Sequence, residues 1–231
     1  NAPGMKVQGR STQRHLSVQD LEAMAARFPG QSEMHYLNPK LGQEAPEAAQ
    51  AAVLVCRNFV DVMLGAGTAD KCMHETALME QRGHVDKKFL HYKKVCNRNC
   101  RWNNTIGEEH VAPDIANKQG TVVAYDEYPA LSAVERVLKT FQFQQDHPTR
   151  LIGELNLYHD IFQCGISFHG DRERDLVAGL RLGRATERMT MLFQGYYQYA
   201  PIGEMTRITL HHGDVYFMSH KAIGVDFNCS S

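Results

Sequence analysis

The sequence is short of cysteine, charge excess and long apolar runs, and each shortage excludes something. Six cysteines in 231 residues (Cys56, Cys72, Cys96, Cys100, Cys164 and Cys229) are too sparse for the disulfide framework of a small secreted domain. The thiols are therefore expected to be reduced, in an intracellular setting whose compartment stays open. The longest apolar stretch, around Ala48 to Val55, is interrupted by Gln50 and closed by Arg57, well short of the roughly 20 residues of a membrane span. No basic-then-apolar leader precedes it. With 25 basic against 26 acidic residues the formal net charge is -1, which argues against coating nucleic acid through bulk charge but leaves local patches open. Internal repeats and low-complexity segments are also absent.

What is present is an ordinary core-forming composition, enough for one large domain or two small ones. Ser17 and Asp20 have capping-box spacing, and Leu21, Met24, Ala25 and Phe28 share one helical face until Pro29-Gly30. Pro46 opens a second predicted helix, striped by Ala49, Val53, Cys56, Val60 and Met63 or Leu64 and ended by Gly65. A third is predicted from about Asp70 to Arg82. Beyond Gly120 the texture changes to strand-like runs. They lie at 121–125, 151–158, 165–169, 176–182, 189–193, 205–210 and 215–218, with one helix at 132–143. Closely spaced strands without intervening helices indicate an antiparallel sandwich or barrel. The expected fold is α+β: a helical N-terminal layer over residues 1–102, packed on a jelly roll over 103–231 as one compact unit.

Between Lys87 and Arg101 there are six basic residues and no acid, interleaved with Phe89 and Tyr92 and followed by Trp102. Such a segment is either a solvated helical face or a phosphate-contacting surface. Cys72, His74, Cys96 and Cys100 have the chemistry of tetrahedral zinc ligands but the spacing of no common finger. They are expected to be spread out.

His-x-Asp occurs three times, at His84/Asp86, His169/Asp171 and His212/Asp214. An imidazole and a carboxylate so spaced make two thirds of the face that holds non-heme Fe(II). The first pair falls in the helical half, where i and i+2 diverge, and reads as surface. The third sits in a glycine turn. The second closes a predicted strand, with Gly170 letting the backbone bend so that both side chains converge, and is the preferred metal site.

Asn156-x-Tyr158, His169-x-Asp171, the 177–183 run VAGLRLG, Phe193-Gln194 and His212-Gly213-Asp214-Val215 together resemble AlkB-like Fe(II)/2-oxoglutarate dioxygenases in order and spacing. The match also looks like an algal and large-virus subset with HGD, an acid-Arg pair (Glu173-Arg174) and GDVYFMS-x-KA-x-G. It covers roughly Asn103 to Asn228. It implies a double-stranded β-helix holding Fe(II) through His169 and Asp171, with Asn156 and Tyr158 hydrogen-bonding 2-oxoglutarate. The family's second histidine ligand would fall around Val225 to Asn228, where Val225 and Phe227 cannot bind metal, and His220 is the histidine left in that region. The arginine that pairs with 2-oxoglutarate has no counterpart after the 215–218 strand, so Arg181 or Arg207 would have to replace it.

Two functions are therefore expected. One is a dioxygenase hydroxylating or demethylating a substrate, with the basic segment favouring a nucleic-acid base and Trp102, Tyr196, Tyr197 or Tyr199 offering a stacking surface. The other is a catalytically silent jelly roll serving a larger assembly.

Overall fold

The computed structural model describes residues 14–37, 50–143, 150–171, 174–183, 189–197 and 200–224. Along the chain run α1 (Val18–Arg27), β1 (Ser32–Tyr36), β2 (Ala52–Cys56), α2 (Phe59–Leu64), α3 (Thr68–Gln81), β3 (Lys88–His91), β4 (Lys94–Asn97), β5 (Trp102–Gly107), β6 (Val122–Ala124), α4 (Pro129–Phe143), β7 (Gly153–Leu157), β8 (Ala178–Leu180), β9 (Met191–Tyr197), β10 (Ala200–Ile208), β11 (Val215–Met218) and α5 (His220–Ile223). The architecture is mixed α+β with mostly antiparallel sheets and, among the described residues, no closed barrel. The chain divides into two compact units, one built on Ala66–Ile166 and the other on Ser11–Gly65 with Ser167–Ser231.

The second of these units is organised by the antiparallel sheet β1-β2-β11-β8. All five residues of β2 are buried, because β1 and β11 take its two edges and side chains cover both faces. Val53 and Val55 pack with Ile208 and Leu210. α1 buries Val18, Leu21 and Met24, and its start is fixed by the predicted capping box: Asp20 N donates to Ser17 Oγ at 3.0 Å and Ser17 N to Asp20 Oδ2 at 2.8 Å. β9 and β10 form a separate two-stranded ribbon.

In the Ala66–Ile166 unit, β5 is central to a three-stranded sheet, parallel to β6 and antiparallel to β7. α4 begins where Pro129, lacking an N–H, suits a first helical position. The Glu75 carboxylate, 55 residues before Ala130 in sequence, accepts from Ala130 N and Leu131 N, both at 2.9 Å. β3 and β4 form a hairpin closed by Tyr92 and Lys93.

Four expectations are corrected here. The helix predicted from Pro46 is overturned: Pro46 and Ala49 lie outside the described residues, and Ala52–Cys56 is a strand. A short run buried on both faces has no alternation to betray it. The 1–102 segment is thus not a helical layer, since it carries four strands as well as helices. The basic segment is a hairpin, not a helical face. The 165–169 run forms no strand, so His169 sits on a loop rather than at a strand end.

Candidate metal and cosubstrate site

His169 and Asp171 are brought together by this loop. A carbonyl oxygen can only accept, so the 2.8 Å contact to Ser167 O requires His169 Nδ1 to carry the proton. In the neutral ring, Nε2 is then a bare lone pair, the form a metal ligand needs. Nε2 lies 3.8 Å from Asp171 Oδ1. Neighbouring ligands bound at about 2.1 Å to one ion sit about 3 Å apart, so the pair needs under 1 Å of closure. Asp171 N donates to Ile223 O at 3.1 Å, tying the loop to α5, and Asp171 Oδ2 is 3.6 Å from Arg174 Nη1.

His220 opens α5 and donates its N–H to Leu16 O at 2.8 Å. Its ring is in contact with that of His15, centroids 3.8 Å apart, and His15 Nδ1 is 4.0 Å from Asp175 Oδ1. Among the described residues no group of three or more His, Cys, Asp or Glu side chains is gathered to hold a metal ion. The donors present therefore fit Fe(II) in part: an oriented imidazole and a carboxylate, without a third ligand beside them among the described residues. Val225, Phe227, Glu173, Tyr199 and Cys229 lie outside the described residues.

Asn156 and Tyr158 belong to the Ala66–Ile166 unit. Asn156 pairs in register with Asn103, and its Oδ1 accepts from Arg101 Nε at 2.6 Å. Tyr158 lies just beyond β7, half-buried. Next to them Trp102 stacks on His159, centroids 4.1 Å apart and planes at 21°, with Lys87 Nζ 3.9 Å from the indole centroid. Arg101 was legible only as one charge in a basic run. Its pairing with Asn156 needed the β5–β7 register. Arg181 Nη2 donates to Met189 O at 2.6 Å, and Arg207 is exposed on β10, where its backbone pairs in register with Leu192.

The other two His-x-Asp pairs are held by backbone and partners. Asp86 accepts from Thr121 N at 2.9 Å and Thr121 Oγ1 at 2.7 Å while its own backbone bridges Asn103, so it fastens β6 rather than lying loose on the surface. His84 Nδ1 is 3.1 Å from the buried Tyr128 hydroxyl, and burial pulls the His84 pKa below its ordinary value. Asp214 is 2% exposed and accepts from Arg57 Nη1 (2.6 Å), Asn58 N (2.8 Å) and His211 N (2.8 Å). Burial, with Asp214 adding, pushes the nearby Cys56 thiol up to about 12.

Cys72, Cys96 and Cys100 fall on α3, β4 and the loop before β5. At the hairpin tip Tyr92 is 89% exposed, and it and Lys93 adopt φ of 42° and 66°. Lys88, His91, Lys93 and Lys94 are exposed. Arg98, 8% exposed, is held over Phe89 with Nε on Lys88 O, and burial lowers its pKa.

No family model matches the chain. It is 30% identical, over 232 aligned positions, to the uncharacterized protein R156 of Acanthamoeba polyphaga mimivirus, an alignment spanning 98% of this chain and 86% of the relative.

Proposed function

We propose that this chain, which belongs to one family with the uncharacterized mimivirus protein R156, is an Fe(II)/2-oxoglutarate-dependent dioxygenase of the AlkB-like kind. The observation that carries this reading is the His169–Asp171 pair, 3.8 Å apart, with the imidazole tautomer set by Ser167 O. The double-stranded β-helix it calls for would draw on the β1-β2-β11-β8 sheet and the β9–β10 ribbon.

In this reading His169 Nε2 and Asp171 Oδ1 hold the metal, and Ser167 O keeps the ring from flipping. Arg174 steadies the second carboxylate oxygen. Asn156 and Tyr158, to which the resemblance gives the cosubstrate, lie in the Ala66–Ile166 unit, where Arg101 Nε orients Asn156. His220 is the proposed third ligand and would have to leave His15 to serve. When bound, iron with 2-oxoglutarate and oxygen supplies the oxidising chemistry that hydroxylates or demethylates a C–H-bearing substrate. The proposed substrate is a nucleic-acid base. The exposed lysines of the β3–β4 hairpin would meet phosphates, and Tyr92, 89% exposed with the His91 ring set edge-on to it, would offer a stacking surface.

One observation favours a second reading, a catalytically silent jelly roll acting within a larger assembly: no third donor is gathered with His169 and Asp171 among the described residues. Succinate formation from 2-oxoglutarate with Fe(II) and methylated oligonucleotides separates the two. The enzyme reading expects turnover that both His169→Ala and Asp171→Ala abolish. Absence of turnover in the wild-type protein supports the silent reading. Turnover that survives His220→Ala removes His220 from the ligand set.

A further inference from the structure

We infer that Cys100 and Cys164 are a redox-modification site, forming an intrachain disulfide when a hydroperoxide reaches them. The pair was not apparent in the sequence, because 63 residues intervene and only the fold brings the two loops alongside. Gly165 N donates to Cys100 O at 3.1 Å. This bond sets the Cys164–Gly165 peptide against the Cys100 carbonyl, and a disulfide needs its two Cα atoms only roughly 4.4–6.8 Å apart. Cys164 is one residue along, and its side chain turns toward the same peptide: Sγ lies 3.7 Å from Asn99 O, the carbonyl of the bond that leads into Cys100.

A compact turn presents the Cys164 thiol in that direction. Asp160 O accepts from Cys164 N at 2.7 Å and from Gln163 N at 3.2 Å, while the Asp160 carboxylate takes Phe162 N and Gln163 Nε2 at 2.8 and 2.9 Å. Cys100 is exposed and Cys164 half-buried, and both are free thiols. Among the described residues, competing partners are less well placed. Cys56 and Cys72 are fully buried, and Cys96 Sγ is turned to Lys94 O of its own strand at 3.8 Å.

The chemistry closes on hydrogen peroxide as oxidant. The exposed Cys100 thiolate attacks the O–O bond, an S–O bond forms, O–O breaks, and the leaving oxygen departs as water after protonation. The Cys164 thiolate then attacks the sulfenic sulfur, S–S forms, S–O breaks, and a second water leaves. Two thiols supply the two electrons that reduce one peroxide to two waters. The bond would staple the segment after β7 to the loop before β5, beside the Arg101–Asn156 hydrogen bond and the Trp102–His159 stack. It is independent of whether the protein turns over 2-oxoglutarate.

The test treats the whole protein with a small excess of hydrogen peroxide, alkylates the remaining thiols and maps non-reduced peptides by mass spectrometry. We expect two thiols lost per chain and the Cys100–Cys164 peptide to dominate, with lower deuterium uptake across residues 158–166. In Cys164→Ser, oxidation should stop at a dimedone-trappable sulfenic acid on Cys100, with Cys100→Ser as the second variant should Cys164→Ser not fold. A dominant Cys96–Cys100 or interchain bridge, or full alkylation after peroxide, would overturn the proposal.

Discussion

Asp214 could not sit at 2% exposure as a lone charge, and Arg57 is what makes its burial tolerable. The guanidinium forks onto Glu33 at 2.8 and 2.7 Å, meets Asp214 at 2.6 Å and still donates to Thr209 O at 2.9 Å. Removing Arg57 strands a buried carboxylate, so Arg57→Ala should cost about 3–5 kcal/mol in urea denaturation. Arg57→Lys should recover part of that and not the fork. The Arg57 hydrogen bond also lowers the Glu33 pKa from its ordinary 4.5. A depressed folded pKa means a contribution fully present above the unfolded value and lost as pH falls through the folded one. Wild-type stability should thus decline below about pH 4.5 by an increment missing in Arg57→Ala; parallel acid limbs would sink this account. At this scale the sequence was partly legible. The His212-Gly213-Asp214 turn could be dismissed as a metal site from its glycine, but Arg57 lies far away in sequence and announced no partnership. His169/Asp171 was selected for a strand end that does not exist, and the pair converges because Ser167 O and Ile223 O pin a loop.

Elements were legible where a local rule speaks alone. The capping box starts α1, and Val215–Met218 has the predicted bounds because a glycine turn precedes it and its burial alternates between full and partial. β2 was misread because its neighbours, not its own pattern, make it a strand. The β3–β4 hairpin adds a further lesson. A two-residue hairpin turn with positive φ at both centres favours Asn-Gly, yet this one holds Tyr92 and Lys93 at φ 42° and 66°. The turn gives up backbone ease to display an aromatic ring and a cation. Replacing Tyr92-Lys93 by Asn-Gly should therefore raise thermal stability by about 1 kcal/mol while weakening binding to a fluorescent single-stranded oligonucleotide. The slope of log affinity against log salt should shrink by about 0.7 for the lost lysine contact. Unchanged affinity and slope would remove the hairpin from nucleic-acid binding and leave it a solvated surface.

Across the whole molecule, the chain builds β1, β2 and α2, departs at Ala66, completes a second compact unit and returns at Ser167 to add β8 to β11. Neither the boundary nor this excursion shows in composition, because both units mix helix and strand and no linker-like segment marks 65/66 or 166/167. Each unit has its own stabilising contacts, and these should be separable. Glu75 accepts from two N–H groups at the α4 N-terminus; Glu75→Ala leaves those donors unpaired in a buried place, a loss of about 1–3 kcal/mol. In the other unit, a Cβ on Gly179 would lie 2.1 Å from Tyr216 Cζ, the ring of its cross-strand partner. Gly179→Ala must push that ring aside, which costs about 1–3 kcal/mol. Because stability is distributed over cooperative units rather than spread evenly, hydrogen exchange should resolve the two effects. Glu75→Ala should speed exchange in α3, α4 and the β6-β5-β7 sheet while sparing β2 and β11. Gly179→Ala should do the reverse. If either substitution accelerates amides in both units equally, the molecule unfolds as one body and the two compact units are no more than a division of contacts.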